Sequence, residues 1–293
     1  MVELDKVLSS LKSGKARDPS GLICDIFKNP ICGSDLKISI LKLVNKTKET
    51  LKVPQFFCNS NISSIWKKKG DILKLENYRG IFLVSLFKTI TMKLLYLRNY
   101  ETIDTNMSES NVGGRKGRNC RDHIFVVNGI IQDALSSKSS KGIDLFICDY
   151  RTMFDGLDVK TTLNDLYDNG VQDDNFALIY KLYQNSHVSI KTPVGATQRR
   201  RVEREIITQG DCLGPILASS TVDTFGKESF KKEKHLYYYR NTTPVGLLTM
   251  LDDVFAISTC GPASIQLQEY INIKKWVQKV TICQGKNLQD AHR

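Results

Sequence analysis

The sequence predicts an α+β protein, in which helices and short strands alternate along one continuous chain. Near the start of the chain, Leu4, Val7, Leu8 and Leu11 recur at helical spacing. Residues 143–148, with the sequence IDLFIC, instead form a compact apolar run of the length expected for a buried strand. No internal repeat is present, and no linker divides the chain cleanly. Together these observations indicate a mixed fold without an obvious domain boundary.

The remaining elements follow from the same two periodicities. Apolar residues at helical spacing predict further helices at residues 38–51, 89–100, 123–135, 163–170, 176–183, 215–230 and 265–280. Short apolar or alternating runs predict strands at residues 61–66, 81–86, 188–192 and 202–207. Residues 245–258 carry apolar runs on both sides of Asp252 and Asp253, which predicts a hairpin with acidic residues at its tip.

The positive charge of the chain is concentrated in clusters. Lys and Arg number 42 against 31 Asp and Glu, which gives a net charge of +11 at pH 7. One cluster alone is usually a solvated surface, but four clusters favour a polyanionic partner, with nucleic acid as the first candidate. An acidic membrane surface is the alternative, although no strongly basic amphipathic helix supports it. The clusters comprise Lys67, Lys68 and Lys69; Arg115, Lys116, Arg118 and Arg121; Arg199, Arg200, Arg201 and Arg204; and Lys231, Lys232 and Lys234.

No segment predicts a membrane span or a secretory signal. No apolar run reaches the ~20 residues that cross a bilayer, and the N-terminus is polar. The 8 Cys contain no C-x-x-C pair and only 4 His could complete a zinc site, so we expect reduced, structural thiols. We therefore expect a protein of the cytosol or nucleus that does not associate with membranes.

Two pairs of adjacent aspartates occur in contrasting surroundings. Asp173 and Asp174 lie in the polar segment GVQDDN, where they would cap a turn or face solvent. Asp252 and Asp253 interrupt an apolar stretch, and Asp149 directly follows an apolar, strand-like run. Ionised carboxylates beside an apolar sheet require cations or hydrogen-bond donors nearby. Three carboxylates at strand ends would suit Mg²⁺, which prefers oxygen ligands; turn or capping aspartates are the alternative.

Six segments of the chain match, in order, the motifs of one protein family. They are LKSGKARDPSGLICDIFK, SSIWKKKGDILKLENYRGIFLVSLFKTI, NVGGRKGRNCRDHIFVVNGII, DLFICDYRTMFDGLD, ITQGDCLGPIL and LLTMLDDVFAIS. In this order the chain resembles the reverse transcriptase of non-LTR (LINE-like) retrotransposons, and the likeness covers nearly all of it. One such motif would be weak support, whereas six in register are specific.

The resemblance implies a right-hand polymerase fold with an antiparallel palm sheet backed by helices. It places the fingers at residues 1–125 and 160–208, and the palm at residues 126–159 and 209–293, with approximate boundaries. The implied activity is RNA-directed DNA polymerisation, in which deoxynucleotides are added to a primer 3′-end by two-metal phosphoryl transfer. The implied partners are an RNA template, a DNA primer and deoxynucleoside triphosphates. The implied cofactor is a pair of Mg²⁺ ions, for which Mn²⁺ could substitute.

The resemblance also implies roles for the acidic residues and for one aromatic residue. Asp149 and Asp252 match the two metal-ligating carboxylates, and Asp253, beside them at the hairpin tip, completes the predicted catalytic and metal-binding set. Two ions about 3.5–4 Å apart would activate the 3′-hydroxyl and stabilise the departing pyrophosphate. Phe154 matches the bulky side chain that would collide with a ribose 2′-hydroxyl and so favour deoxynucleotides; a buried core contact is the alternative.

The remaining matches concern substrate binding. Gln209 and Gly210 match the segment that lines the incoming nucleotide, with a plain turn as the alternative. Lys68 and Arg79 match residues that bind the triphosphate, and the fork of an arginine suits phosphate oxygens. Lys67 or Lys69 could make the contact in place of Lys68, with the other lysines of the cluster facing solvent. Lys286 corresponds loosely to a lysine that would donate a proton to pyrophosphate; a surface lysine is the alternative.

The chain departs from the family pattern at several positions. Met250, Leu251, Met153, Gly214 and Gly114 replace the usual Tyr, Ala, Ala, Ser and Phe, respectively. None of these departures removes a metal ligand. They suggest a divergent lineage or a decaying copy.

The chain ends shortly after the predicted palm helix, so we expect a fragment of a larger element, without a thumb or an endonuclease domain.

Three interpretations of function follow. The leading interpretation is an active reverse transcriptase domain. The alternative is a catalytically inactive relic that only binds nucleic acid. An RNA-dependent RNA polymerase would share the palm chemistry, but QGDCLGP and Phe154 fit it less well.

Overall fold

Helices and strands alternate along the chain, which confirms the predicted α+β class. The computed structural model describes residues 1–29, 33–136, 143–149, 153–203, 207, 210–230, 236–251, 253–259 and 279–283. Within these ranges, no helix is both long and apolar enough to cross a bilayer. The described α-helices are α1 Val2–Ser10, α2 Gly33–Thr50, α3 Leu86–Asn106, α4 Cys120–Ser136, α5 Met153–Gly156, α6 Val159–Asp168, α7 Asp173–Tyr183 and α8 Gly214–Phe230. The described strands are β1 Asn59–Trp66, β2 Tyr78–Val84, β3 Ile143–Asp149, β4 His187–Thr192, β5 Gly195–Ala196, β6 Arg200–Arg201, β7 Tyr237–Tyr239, β8 Thr243–Val245, β9 Leu248–Met250, β10 Asp253–Thr259 and β11 Lys279–Cys283.

The chain divides into two structural units, each built from two stretches of sequence. The first unit comprises Met1–Ile103 and Phe154–Gly214, and the second comprises Asp104–Met153 and Pro215–Arg293. Residues far apart in sequence therefore pack together within each unit.

The core of the first unit begins with the amphipathic helix α1. Leu4, Val7 and Leu8 are buried on one face of this helix, because spacings of three and four residues repeat once per helical turn. They belong to one apolar cluster with Ile40 of α2 and Ile90 of α3. The structure thus confirms the first three helices predicted from apolar spacing.

The first unit also contains a mixed sheet in the order β2-β1-β4-β5, with β6 paired to β4. β1 is antiparallel to β2 and parallel to β4. The predicted return strand at residues 202–207 is wrong in position, because β6 pairs Arg200 and Arg201 with the start of β4. The chain reverses tightly after Thr192 and pairs again at once through β5, and Val202 N donates the last described backbone hydrogen bond of this return, to Ser186 O at 2.8 Å. Residues 204–206 lie outside the described residues.

The second unit contains a sheet in the order β11-β3-β10-β9, in which every described pairing is antiparallel. Ile130 of α4 packs in one buried cluster with Leu248 of β9, Ile257 of β10 and Tyr237 of β7. A helix therefore covers one side of this sheet. The family resemblance implied an antiparallel sheet, and the structure shows one that joins the predicted strand at residues 143–148 to the predicted hairpin at residues 245–258.

The predicted helix at residues 265–280 is wrong at its end. Lys279 and Val280 belong to β11, which pairs with β3, while residues 265–278 lie outside the described residues. Backbone N–H and C=O groups on the free edge of β3 need partners, and a strand supplies them where a helix cannot.

Candidate active site

A tight hairpin in the second unit carries the predicted acidic tip. Met250 ends β9 and pairs with Asp253, the first residue of β10, so only Leu251 and Asp252 connect the strands. Two-residue connections favour positive φ angles, because these match the twist of the strands. Leu251 has a φ of 55°. The structure confirms the predicted hairpin, although Asp252 itself lies outside the described residues.

Asp149 and Asp253 lie directly opposite each other on neighbouring strands. Asp149 ends β3, Asp253 begins β10, and the two residues pair in the antiparallel ladder. The Cα atoms of such directly opposed residues lie about 4.5–5.5 Å apart. Two positions separated by 253 − 149 = 104 residues in sequence thus meet at one end of the sheet. Asp253 is exposed there, and for Asp149 the structure describes the backbone.

The residue types at this end of the sheet suit a hard divalent cation. Carboxylate oxygens are the ligands that Mg²⁺ prefers in proteins, and the β3–β10 register brings two aspartate positions together. Among the side chains that the structure describes, no group of three or more His, Cys, Asp or Glu could hold a metal ion. The predicted metal-binding group also includes the side chains of Asp149 and Asp252, which lie outside the described part of the chain. The fit to Mg²⁺ therefore rests on donor chemistry and backbone register.

Arg115 does not belong to a solvent-facing basic cluster, which corrects the prediction for this residue. Its side chain is 3% exposed, and Nε donates to Asp104 Oδ1 at 2.7 Å. Nη1 donates to the carbonyl oxygens of Ser108 and Asn111 at 2.7 and 2.9 Å. Arg115 thus fixes the loop after α3, because these oxygens converge on one buried guanidinium.

Asp223 is a buried acid that the sequence prediction missed. It lies on α8 and accepts a hydrogen bond from the backbone N–H of Ser108 at 3.0 Å. The Ser108 hydroxyl also donates to this carboxylate, and Lys227 Nζ lies 2.9 Å from it. An acid within an apolar helical pattern, as in STVDTF, was the available sequence signal.

The predicted triphosphate-binding residues lie on the β1–β2 hairpin of the first unit. Lys68 follows β1 with a φ of 55°, and Arg79 is the second residue of β2. Both side chains are exposed. The connection between the strands is ordered by Asn77, whose Nδ2 donates to Asp71 O at 2.7 Å and whose carbonyl accepts from Lys67 N at 2.9 Å. Both cations are thus presented to solvent from an ordered hairpin.

Gly210 lies against β2 in the first unit. It has a φ of 113°, and a Cβ atom at this position would be 2.7 Å from Phe82 O. The residue must therefore be glycine both for its backbone conformation and for this close approach. The structure supplies a local reason for the glycine, in addition to any contact with a nucleotide.

The residue after Gly210 is anchored by a buried tyrosine. Tyr183 OH donates to Asp211 Oδ2 at 2.8 Å, and Asp211 Oδ1 accepts from Leu213 N at 3.0 Å. Burial raises the pKa of Tyr183 well above its ordinary value, and the nearby Asp211 carboxylate adds to this effect. Lys88 Nζ lies 4.6 Å from the centroid of the Tyr183 ring. This arrangement fixes the backbone that follows Gly210.

One face of the mixed sheet carries three cations. Arg79 pairs with Ile65 of β1. Ser63, two positions earlier on β1, pairs with Lys191 of β4. Because alternate residues of a strand share a face, Arg79 and Lys191 lie on the same side of the sheet. Arg199 Nη2 donates to Asn61 Oδ1 at 3.3 Å, and Asn61 shares that face with Ser63. This set of Arg79, Lys191 and Arg199 is called the basic face below.

The structure describes only some of the remaining predicted site residues. Phe154 is half-buried in α5. Gln209 and Lys286 lie outside the described residues. Lys67 and Lys69 flank Lys68 and are exposed, so all three lysines of this cluster face solvent.

Comparison with known proteins identifies the fold. No protein-family model matches the chain. An apo telomerase from Candida tropicalis, truncated from its C-terminal domain, superposes with a TM-score of 0.56 at 13% identity over 85% of this chain and 56% of that chain. Telomerase from Candida albicans, in complex with the TWJ fragment of telomeric RNA, superposes with a TM-score of 0.53 at 12% identity over 87% of this chain and 47% of that chain.

These similarities show that the chain shares the reverse-transcriptase-like fold of the telomerase structures. The chain spans about half the length of the telomerase chains, 56% and 47% respectively. Sequence identities this low define the fold and not the activity, because one fold supports many functions.

Proposed function

We propose that the chain is the reverse transcriptase domain of a non-LTR retrotransposon, an RNA-directed DNA polymerase that extends a primer 3′-end. The observation that carries the proposal is the direct pairing of Asp149 with Asp253 in a reverse-transcriptase-like fold. The order of the six sequence motifs supports the assignment to non-LTR elements. Under this proposal, residues 1–125 and 160–208 form the fingers, and residues 126–159 and 209–293 form the palm.

The three aspartates would hold the catalytic metal ions. Asp149, Asp252 and Asp253 provide oxygen ligands for two Mg²⁺, and Mn²⁺ could replace them. When bound, the ions favour deprotonation of the primer 3′-hydroxyl and offset the charge of the departing pyrophosphate. The β3–β10 ladder contributes the fixed spacing between Asp149 and Asp253 that such a site requires.

The first unit would bind the incoming nucleotide. Lys68 and Arg79 are exposed on the β1–β2 hairpin, where their charges can attract triphosphate oxygens. Gln209 and Gly210 would line the nucleotide, and Phe154 would exclude the 2′-hydroxyl of a ribonucleotide. Lys286 would donate a proton to the leaving pyrophosphate.

Primer extension on an RNA template tests the proposal. With deoxynucleotides and Mg²⁺, the parent protein should extend a DNA primer, and Asp149→Asn should abolish extension while the fold is retained. Asp174→Asn is the matched control, because Asp174 belongs to the second aspartate pair and is exposed on α7. Phe154→Val should increase the use of ribonucleotides. An Asp149→Asn protein that extended primers like the parent would contradict the metal role.

A nucleic-acid-binding relic without catalysis is the second candidate function. It is favoured by Met250, which lacks the phenolic group usual beside the paired aspartates, and by Gly214. The basic face would still bind phosphates in such a protein. Binding of an RNA–DNA duplex that weakens steeply with salt, without primer extension by the parent protein, would favour the relic.

A further inference from the structure

The turn that leads into Asp253 rests on a loop to which the proposed mechanism gives no role. This loop, residues 107–115, lies between α3 and α4 and is called the support loop below. Val112 N donates to Thr249 O at 3.0 Å, and Thr249 N donates to Ser110 O at 2.9 Å. The support loop thus adds a short parallel bridge to β9. It extends the sheet on the side of β10 opposite to β3.

Asn111 joins the support loop to α8. Its Nδ2 donates to Ser219 O at 2.9 Å, and its Oδ1 accepts from Ser219 Oγ at 2.7 Å and from Gly113 N at 3.0 Å. Asn111 and Ser219 are both fully buried. A buried, satisfied hydrogen-bond network favours one geometry, because any displacement leaves polar groups unpaired in a low dielectric. Asn111 therefore fixes the support loop relative to α8.

Gly113 is where the support loop meets the turn. A Cβ atom on Gly113 would lie 2.6 Å from Leu251 N and 2.8 Å from Ser219 Oγ. Leu251 N is a backbone atom, so it can yield only if the turn itself moves. Leu251 also has a φ of 55°, a conformation that a leucine adopts only where surrounding structure holds it.

We propose that Asn111 and Gly113 are positioning residues for the catalytic carboxylates. They set the position of Leu251, and through it the position of Asp253 opposite Asp149. The inference rests on the proposed function, because the spacing of these aspartates matters for binding two metal ions. Neither residue is a ligand or a substrate contact in this proposal. They act through the backbone of the turn.

Gly113→Ala tests the proposal by metal binding and by catalysis. Titration of the full chain with Mn²⁺, followed by the EPR signal of free Mn²⁺, should show an affinity about 10-fold weaker than in the parent, the size typical of lost support around a metal site. In primer extension, kcat should fall about 100-fold, as for a 1 Å misplacement. KM for deoxynucleotide and Kd for the RNA–DNA duplex should stay within about twofold of the parent values, because binding residues of the first unit are untouched.

Gly129→Ala is the matched control. Gly129 lies on α4 of the same unit, and a Cβ atom there would have no neighbour within 4 Å. This variant should match the parent in Mn²⁺ affinity and in kcat. Unchanged Mn²⁺ affinity in Gly113→Ala would overturn the proposal. A loss of duplex binding together with the cooperative thermal transition would also overturn it, since the residue would then support the fold as a whole.

Two further variants separate positioning from local damage. Ser219→Ala adds no atoms and removes one hydrogen bond to Asn111, so Mn²⁺ affinity should fall about fivefold, the worth of ~1 kcal/mol. Leu251→Gly relaxes the positive φ and allows the turn to shift, so the double variant Gly113→Ala with Leu251→Gly should recover Mn²⁺ affinity in part. Absence of any recovery would contradict an action through the turn.

The same measurements distinguish failure of this inference from failure of the proposed function. A parent protein that binds Mn²⁺ but extends no primer would contradict the polymerase function, while the Mn²⁺ titrations of the variants would still decide the positioning role. A parent protein that binds no Mn²⁺ would contradict both.

Discussion

Asp253 pairs on one side with Asp149 and on the other side with Met250. The acidic residue therefore lies within the sheet ladder, with a neighbouring strand on each side, even though its side chain is exposed. A carboxylate on a free loop could turn away from a bound ion, whereas one on a strand held at both edges has a fixed Cα position. The candidate site thus combines solvent access with a rigid backbone, as metal-dependent catalysis requires.

The close approach of Gly210 to β2 gives a prediction for stability. Gly210→Ala should lower the free energy of unfolding by about 2–4 kcal/mol, because it combines a positive φ with a clash against a carbonyl oxygen. Gly195→Ala is the control, since Gly195 has a φ of 136° but no atom within 4 Å of an added Cβ. Denaturant unfolding should show a cost of only about 1–2 kcal/mol for the control. Equal costs would show that Phe82 O yields to the new side chain.

His123 predicts a loss of stability in acid. Its Nε2 lies 3.0 Å from Ser110 O, and burial lowers the pKa of His123 below its ordinary value of 6.5. The unfolded chain then binds a proton more readily than the folded chain, so stability should fall as the pH falls below about 6.5. His123→Gln can keep a donor to Ser110 O without titrating, and should weaken this dependence in urea unfolding between pH 5 and 8.

His187→Gln serves as the control for the acid prediction. His187 is half-buried at the start of β4, in the other unit. The difference in the slope of stability against pH between the His187→Gln and His123→Gln variants is the quantity that tests the prediction. An unchanged slope in His123→Gln would assign the acid sensitivity to other groups.

Tyr183 predicts a loss of stability in alkali. Its pKa is raised by burial, so the unfolded chain loses the phenolic proton first, and stability present below pH about 10 should be lost as the pH rises above that value. Tyr183→Phe should reduce this alkaline loss. At neutral pH the same variant should cost about 1–3 kcal/mol, because the buried Asp211 carboxylate loses a donor.

Tyr180→Phe is the matched control for Tyr183, since Tyr180 lies on the same helix and is half-buried. Denaturant unfolding at pH 7 and near pH 10.5 measures both effects. If Tyr183→Phe cost no more than Tyr180→Phe at pH 7, the hydrogen bond to Asp211 would not contribute to stability.

The basic face predicts a salt-dependent interaction with nucleic acid. Arg79→Gln, Lys191→Gln and Arg199→Gln should each reduce the slope of log K against log salt for single-stranded RNA by about 0.7, if each cation contacts one phosphate. Fluorescence anisotropy measures the RNA affinity of each variant at salt concentrations between roughly 50 and 300 mM, and these affinities give the slope. Lys160→Gln on α6 is the control, and its slope should equal that of the parent. Equal slopes in all four variants would place the RNA elsewhere.

The sequence predicted those elements whose signals are local. The apolar run 143–148 and the acid-interrupted run 245–258 each contain enough residues to define a strand and a hairpin. Both elements are present, and together they bring Asp149 beside Asp253. Local patterns therefore predicted this strand and this hairpin, whereas the antiparallel sheet that contains both was implied by the family resemblance.

Other features depend on partners that are remote in sequence. The predicted strand 81–86 ends early, at Val84, because the Asp18 carboxylate accepts a hydrogen bond from Leu86 N at 3.0 Å at the start of α3. Arg115 is a charged residue in a basic segment of the sequence, which is typical of a protein surface. Only the folded loop shows that its side chain is buried. Asn111 binds Ser219, which lies 108 residues away in sequence. No local pattern contains such information.

The long sequence separation between β3 and β10 has a consequence during synthesis of the protein. β3 leaves the ribosome about 100 residues before its partner strand, roughly 5–20 s earlier at usual rates of translation. During that interval its apolar residues, among them Phe146, which is fully buried in the folded chain, have no β10 to pair with. An unpaired apolar edge readily associates with other chains. Chaperones that bind apolar segments therefore have a target on this nascent chain at the strand that ends in Asp149.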